Sequence, residues 1–87
     1  MILYHGTKKE YLDDILKNGL IRGKNNGDTV YIYTAKTPKE ASKWGEVILE
    51  IDATGLNLRH FWGENPIWQI LIMEDVKPGR IQKYSPL

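Results

Sequence analysis

The chain has 87 residues, of which 41% are apolar and 26% charged, with a formal net charge of +1; this balance predicts one ordinary globular domain over residues 1–87. It contains no cysteine, which excludes disulfides, thiolate catalysis and cysteine-ligated metal, and favours a reducing cytoplasm because secreted domains of this size usually need disulfides. No apolar run approaches the ~20 residues of a membrane span, and the charge gives no general argument for a nucleic-acid partner.

The first predicted elements are a short strand and a helix. Residues 2–5 form an apolar run typical of a buried strand, and residues 7–10 fit a capping box for the helix that follows. Apolar side chains recur at i, i+3 and i+4 from Leu12, which indicates one buried helix face. Gly19 is expected to end this helix, and residues 22–29 have the composition of a polar loop.

The second half of the chain is richer in predicted strands. Residues 30–34 favour a strand, and the capping box Thr37-Pro38-Lys39-Glu40 predicts a short helix that stops near Trp44-Gly45. Later strands are expected at 46–52 and 67–73, with a possible short strand at 56–59 and a final one after the turn that begins at residue 76. Strands gathered late in the chain indicate an α+β protein rather than a parallel α/β sheet.

Three consecutive residues at the end of the first strand are candidates for ligand binding. His5 brings an imidazole, although a histidine that only hydrogen-bonds a loop is the alternative reading. Gly6 lets another molecule approach the backbone closely. Thr7 is already explained by helix capping, so it takes only part of a functional role.

Two later positions add to this set. Tyr31 and Tyr33 share one face of their strand, where each is either a packed ring or a plate that stacks on a flat heterocycle. Gln69 interrupts an apolar run, which costs stability unless the amide meets a structural partner or a ligand. A histidine, an open backbone edge and an aromatic ring suit a ligand with ribose hydroxyls, an amide and a flat ring, such as NAD. His5 and His60 form no trusted metal-binding spacing.

These residues resemble a known group of enzymes. The segment Leu3-Tyr4-His5-Gly6-Thr7 resembles the first-strand motif of the ADP-ribosyltransferases of the diphtheria-toxin and poly(ADP-ribose) polymerase type, and that of the tRNA 2′-phosphotransferases, which share the fold. Further similarities cover nearly the whole chain: the helix over residues 12–20, the second motif at Tyr33-Thr34-Ala35 with Pro38, Ala41 and Gly45, and the third motif at Trp68-Gln69-Ile70-Leu71-Ile72 followed by residues 76–81.

The resemblance implies a minimal ADP-ribosyltransferase-like fold, a small split β-sheet with two short helices and an NAD cleft between the half-sheets. It implies that His5 binds a ribose hydroxyl, that the Gly6 backbone holds the nicotinamide carboxamide beside Thr7, and that Tyr33 stacks on the nicotinamide. Gln69 stands where the family has a catalytic glutamate that stabilises the developing oxocarbenium ion. The amide keeps an acceptor oxygen and loses the charge, and Glu64 is a spare carboxylate nearby.

The leading expectation from the resemblance is transfer of ADP-ribose from NAD to a macromolecular acceptor, protein or nucleic acid, with release of nicotinamide and no metal. The second is a catalytically silent module that binds NAD or an ADP-ribose derivative, which Gln69 favours. The third is an RNA 2′-phosphotransferase that uses NAD, against which Tyr33 and the lack of a basic groove argue. A plain structural domain is the fourth, and the small size fits a bacterial or phage protein.

Overall fold

The computed structural model describes residues 1–25, 27–60 and 69–85. Over these residues the chain forms one antiparallel sheet of six strands and two short α-helices. The strands are β1 (Ile2–Thr7), β2 (Ile32–Ala35), β3 (Val47–Asp52), β4 (Leu58–Arg59), β5 (Gln69–Ile72) and β6 (Ile81–Lys83), and the helices are α1 (Leu12–Asn18) and α2 (Pro38–Ala41). This arrangement confirms the α+β class and is compatible with the expected split-sheet fold.

The sheet is weakly joined at its centre. Its strand order is β4-β5-β2-β1-β3-β6, and β1 pairs with β3 along its whole length, from Ile2 opposite Asp52 to its last residue. The central strands β1 and β2 are paired at one position, where Tyr4 lies opposite Ala35. That pair joins two halves of the sheet, β4-β5-β2 and β1-β3-β6, and a cleft opens between β1 and β2.

The hydrophobic core lies on one face of both halves. Burial alternates along β3 with the period of two that one covered face requires. The buried aliphatic side chains of the core include Leu3, Ile15, Ile32, Leu49, Ile51, Ile70, Ile72 and Val76. Ile15 comes from α1, so this helix covers the core face.

Gly19 ends α1, as predicted. Its φ of 90° is a conformation that favours glycine, and a Cβ there would lie 2.1 Å from the Val76 carbonyl oxygen. The close approach allows Leu20 and Val76 to exchange backbone hydrogen bonds of 2.9 and 2.8 Å. The residue after the helix is thereby tied to the segment that leads into β6.

One predicted capping box is confirmed and the other is wrong. Thr37 Oγ1 accepts from the Glu40 amide at 3.4 Å and Pro38 opens α2, which continues as a 3-10 turn to Trp44. Thr7 instead is the buried last residue of β1, and the first helix begins with a 3-10 turn that has no side-chain cap. Pairing between β1 and β3 holds Thr7 extended, opposite Val47, and so removes it from the helix start.

The later strands match the expectations with small shifts of their ends. The strand expected at 46–52 is Val47–Asp52, and the possible strand at 56–59 is the two-residue Leu58–Arg59. The strand expected at 67–73 is Gln69–Ile72, with residues 67 and 68 outside the described part. In the described ranges, no helix has the length and apolar character needed to cross a membrane.

Candidate functional site

A cleft of about 270 Å³ opens where β1 and β2 separate. It is lined by the end of β1, the first turn of the helical segment, the loop before β2, the start of β2 and Trp44. Ligand pockets for small molecules usually span roughly 300–1,000 Å³. The cleft is therefore close to the lower end of the range for small-molecule sites.

His5 lies in the cleft and is tied to the opposite strand. Its Nδ1 is 2.7 Å from the backbone carbonyl oxygen of Tyr33. A carbonyl only accepts, so Nδ1 carries the hydrogen and the neutral ring offers Nε2 as an acceptor. Burial lowers the pKa of His5 below 6.5, outweighing the opposite effect of the hydrogen bond to Tyr33. His5 is therefore a neutral imidazole at pH 7.

Tyr33 forms an aromatic wall of the cleft together with Trp44. Their ring centroids are 6.5 Å apart and their planes are tilted by 41°. The Tyr33 hydroxyl donates to Asp28 Oδ2 at 3.2 Å. Burial is the main cause that raises the pKa of Tyr33 above 10.0, and the hydrogen bond and charge of Asp28 raise it further. The phenol therefore stays protonated at neutral pH. Tyr31, just before β2, also lines the cleft.

Asp28 is the acidic side chain among the cleft-lining residues that the structure describes. Its Oδ1 accepts from the Val30 amide at 2.7 Å and the Tyr31 amide at 3.1 Å. These two bonds are the main causes that lower the pKa of the Asp28 carboxyl below 3.8, and the bond from Tyr33 adds to them. Asp28 is therefore a carboxylate at neutral pH, fully engaged in the loop that precedes β2.

Gly6 lines the cleft, but the structure gives it an internal purpose. A Cβ at Gly6 would lie 2.0 Å from the Ala41 carbonyl oxygen, and one at Gly45 would lie 2.2 Å from the carbonyl oxygen of Thr7. Both glycines allow α2 and the turn after it to pack directly on β1. The side of Gly6 on which a Cβ would stand is therefore covered by the protein's own backbone, while Gly6 also lines the cleft.

The structure brings His5, Gly6, Thr7 and Tyr33 together at the cleft and does not bring Gln69 there. Gln69 is the half-buried first residue of β5, opposite Ala35 and two positions beyond the partner of Tyr33. It therefore lies level with the pair Tyr4 and Ala35, where β1 and β2 meet. Glu64, the spare carboxylate, falls outside the described residues.

Sequence reasoning missed the basic side chains of the cleft, Lys8, Arg22 and Lys24. Arg22 Nε bonds Asp75 at 3.0 Å, and Lys24 Nζ bonds Asp14 at 3.0 Å. Lys8-Lys9 and the stretch from Arg22 to Lys24 are basic in the sequence, but the net charge of +1 gave no reason to place them at one site. The structure thus gathers three cations at the cleft, two of them paired with carboxylates, and a chain-wide net charge does not show such a gathering.

No protein-family model matches the chain. Among curated proteins it is similar to the "Probable RNA 2'-phosphotransferase" of Pseudomonas paraeruginosa, with 32% identity over 71 residues, which cover 77% of this chain and 39% of the relative. Proteins of the same name match from Escherichia coli O45:K1, 37% identical over 70 residues (76% and 36% of the two chains), and E. coli K12, 36% identical over 74 residues (76% and 38%). The chain thus spans less than two fifths of the length of these relatives.

These relatives correct the leading functional expectation. ADP-ribosyl transfer to a macromolecule is contradicted, because the curated relatives carry the name of a transferase that acts on RNA 2′-phosphate. The similarity supports, at the level of the superfamily, the resemblance drawn from the sequence motifs. Tyr33 and the expected lack of a basic groove, which spoke against a phosphotransferase, do not outweigh this similarity.

Proposed function

We propose that this chain carries the NAD-binding part of an RNA 2′-phosphotransferase, which transfers a 2′-phosphate from RNA to the ADP-ribose part of NAD, with cleavage of the nicotinamide glycosidic bond and release of nicotinamide. The observation that carries the proposal is the 32–37% identity to proteins named for this reaction, over 76–77% of the chain. The relatives' names supply the RNA 2′-phosphate. NAD comes from the resemblance of the His5 and Tyr33 motifs and from the chemistry of the cleft.

The described residues fit the nicotinamide-ribose part of NAD. A neutral His5 with Nε2 as acceptor suits a ribose hydroxyl, which donates. The Tyr33 ring, 6.5 Å from that of Trp44, suits a flat nicotinamide ring, since offset aromatic contacts form at such spacings. The backbone at Gly6 is the third component, because amide N–H and C=O groups match a carboxamide. NAD supplies the reactive glycosidic bond when bound.

The basic side chains suit the other substrate. A phosphate group attracts Lys and Arg through charge-assisted hydrogen bonds. Lys8 is exposed at the end of β1, next to the cleft-lining Thr7, while Arg22 and Lys24 are held on the opposite loop. The cations thus flank a cleft whose inner wall is neutral and aromatic. This distribution supports a phosphorylated RNA chain at the entrance and a nicotinamide ring inside.

The test uses a short synthetic RNA with one internal 2′-phosphate, incubated with the protein with and without NAD. We expect mass spectrometry to show loss of the phosphate in the presence of NAD. His5→Ala should lower kcat/KM about 10- to 100-fold, the scale of one or two lost hydrogen bonds in a buried site. His60→Ala is the matched control, because it removes the chain's second histidine at an exposed position beyond β4.

A second candidate, a silent NAD-binding module, is favoured by the placement of Gln69 away from the cleft. It predicts that NAD binds in calorimetry with an affinity that depends on His5, while the phosphorylated RNA remains intact.

Phosphate loss that is equal with and without NAD, or equal in wild type and His5→Ala, would contradict the phosphotransferase proposal.

A further inference from the structure

Hydrogen bonds hold Tyr33 both at its side-chain hydroxyl and at its backbone carbonyl. Its phenol hydroxyl donates to Asp28 Oδ2 at 3.2 Å, and its backbone carbonyl oxygen accepts from His5 Nδ1 at 2.7 Å. A tyrosine side chain at the mouth of a cleft would otherwise sample several rotamers. The hydrogen bond to Asp28 restricts the ring, while the bond to His5 restricts the main chain beneath it.

Asp28 also organises the loop from which β2 begins. Its carboxylate accepts from the amides of Val30 and Tyr31 at 2.7 and 3.1 Å, and its carbonyl oxygen accepts from the Gly23 amide at 2.7 Å. One residue thus closes the loop, fixes the chain as it enters β2 and reaches the tip of Tyr33. The carboxylate oxygens accept from the Val30 and Tyr31 amides and from the Tyr33 hydroxyl. Asp28 is therefore suited to affect a ligand through these neighbours and not by direct contact.

We propose that Asp28 is a positioning residue for NAD binding, which fixes the Tyr33 ring as a preformed wall for the nicotinamide. The proposal rests on the proposed function, because it takes NAD as the ligand of the cleft. A ring that is already immobile loses no rotamer freedom when the ligand stacks on it, so preorganisation raises affinity without adding a contact. Removal of the Asp28–Tyr33 bond therefore weakens binding of NAD more than it slows the chemical step.

The experiment is a double-mutant cycle with Asp28→Ala, Tyr33→Phe and the double variant, in which the Kd for NAD is measured by calorimetry. Tyr33→Phe keeps the ring and the loop and removes only the hydroxyl, so it folds as wild type does. We expect it to weaken NAD about 3- to 10-fold, the scale of one net hydrogen bond. Asp28→Ala should weaken NAD more, and the double variant less than the product of the two single effects.

Two further variants separate positioning from a structural role. Asp28→Asn keeps an acceptor for the loop amides and a polar group for the Tyr33 hydroxyl, so it should restore most of the affinity that Asp28→Ala loses. Tyr84→Phe removes a hydroxyl outside the cleft lining, on a ring that packs 5.5 Å from that of Tyr4, and should bind NAD as wild type does. With RNA substrate, Tyr33→Phe should raise the KM for NAD and leave kcat within about twofold.

The outcomes distinguish this inference from the proposed function. NAD binding to wild type with no loss of RNA phosphate would remove the phosphotransferase proposal and still allow the cycle to test Asp28. Wild-type affinity in Tyr33→Phe, or single effects that multiply fully in the double variant, would overturn the role of Asp28 even if the RNA is dephosphorylated. No binding of NAD to wild type would overturn both.

Discussion

A single imidazole makes the stability of the cleft sensitive to pH. Burial lowers the pKa of His5 from 6.5, so between that value and its folded pKa the unfolded chain binds more protons than the folded one. The contribution of His5 to the free energy of unfolding is complete above pH 6.5 and is lost as the pH falls through this window. The lowered pKa values of Asp14 and Asp28 act only below 3.8.

We therefore expect urea unfolding to show a lower free energy of unfolding at about pH 5 than at about pH 7.5, and a smaller difference in His5→Asn. His60→Asn serves as the control and should keep the full difference. If His5→Asn and wild type lose the same free energy over this range, the histidine is not buried in its neutral form.

Gly6 offers a second prediction at the scale of one residue. A Cβ at this position would meet the Ala41 carbonyl oxygen at 2.0 Å, and backbone atoms cannot move aside as a flexible side chain does. Gly6→Ala should therefore lower the free energy of unfolding by about 1–3 kcal/mol, the usual cost of overpacking. Gly79→Ala is the matched control, because nothing lies within 4 Å of its added Cβ. Equal stability of the two variants would contradict the close packing of α2 on β1.

At the scale of elements, the loop over residues 22–28 is anchored to α1 through Asp14. This carboxylate accepts from Asn18, Lys24 and Asn25 at 2.8, 3.0 and 3.1 Å. The three bonds, together with the charge of Lys24, lower the pKa of Asp14 to about 2. The anchor is therefore intact over the whole range of ordinary buffers.

Asp14→Ala should release this loop and leave α1 and the sheet in place. We expect faster hydrogen exchange at the amides of Gly23 and Lys24, which bond Asp28 and Ile21 within the loop, by several-fold under native conditions. Asp13→Ala changes the neighbouring exposed aspartate and should leave the exchange as in wild type. Identical exchange in the two variants would show that Asp14 does not hold the loop.

Local signals predicted most elements of the fold. The alternation of Val47, Leu49 and Ile51 predicted β3, and Thr37 with Pro38 predicted the start of α2. Thr7 shows where local reasoning stops, because its Ser/Thr-x-x-Glu pattern is that of a helix cap while pairing with Val47, far along the chain, keeps it in a strand. A long-range contact overrode a correct local preference.

The candidate site was predicted in part for the same reason. His5 and Tyr33 carry recognisable motifs next to predictable strands. Asp28, Arg22 and Lys24 belong to a polar loop whose path is set by tertiary hydrogen bonds to Asp14 and Asp75, so no local pattern indicated that they line the cleft. The motif around Gln69 predicted the correct strand. The register of β5, however, places Gln69 away from the residues that line the cleft.

At the scale of the whole molecule, both halves of the sheet depend on one shared core. Leu49 is 0% exposed and packs in it from β3. Leu49→Ala should lower the free energy of unfolding by about 2–5 kcal/mol, a large part of the ~5–10 kcal/mol expected for a small domain. Leu16→Ala, at a site that is 40% exposed, should cost much less in the same denaturant titration. A similar cost at both positions would contradict the placement of the core.

The hydrogen bond that orients His5 joins its Nδ1 to the backbone carbonyl oxygen of Tyr33. It does not involve the side chain of residue 33. Any amino acid at that position presents the same carbonyl oxygen to the imidazole. A substitution of Tyr33 therefore leaves the acceptor of His5 Nδ1 in place. The group that orients the imidazole and the ring that lines the cleft are thus separate parts of one residue, so the ring can be replaced without loss of the His5 orientation.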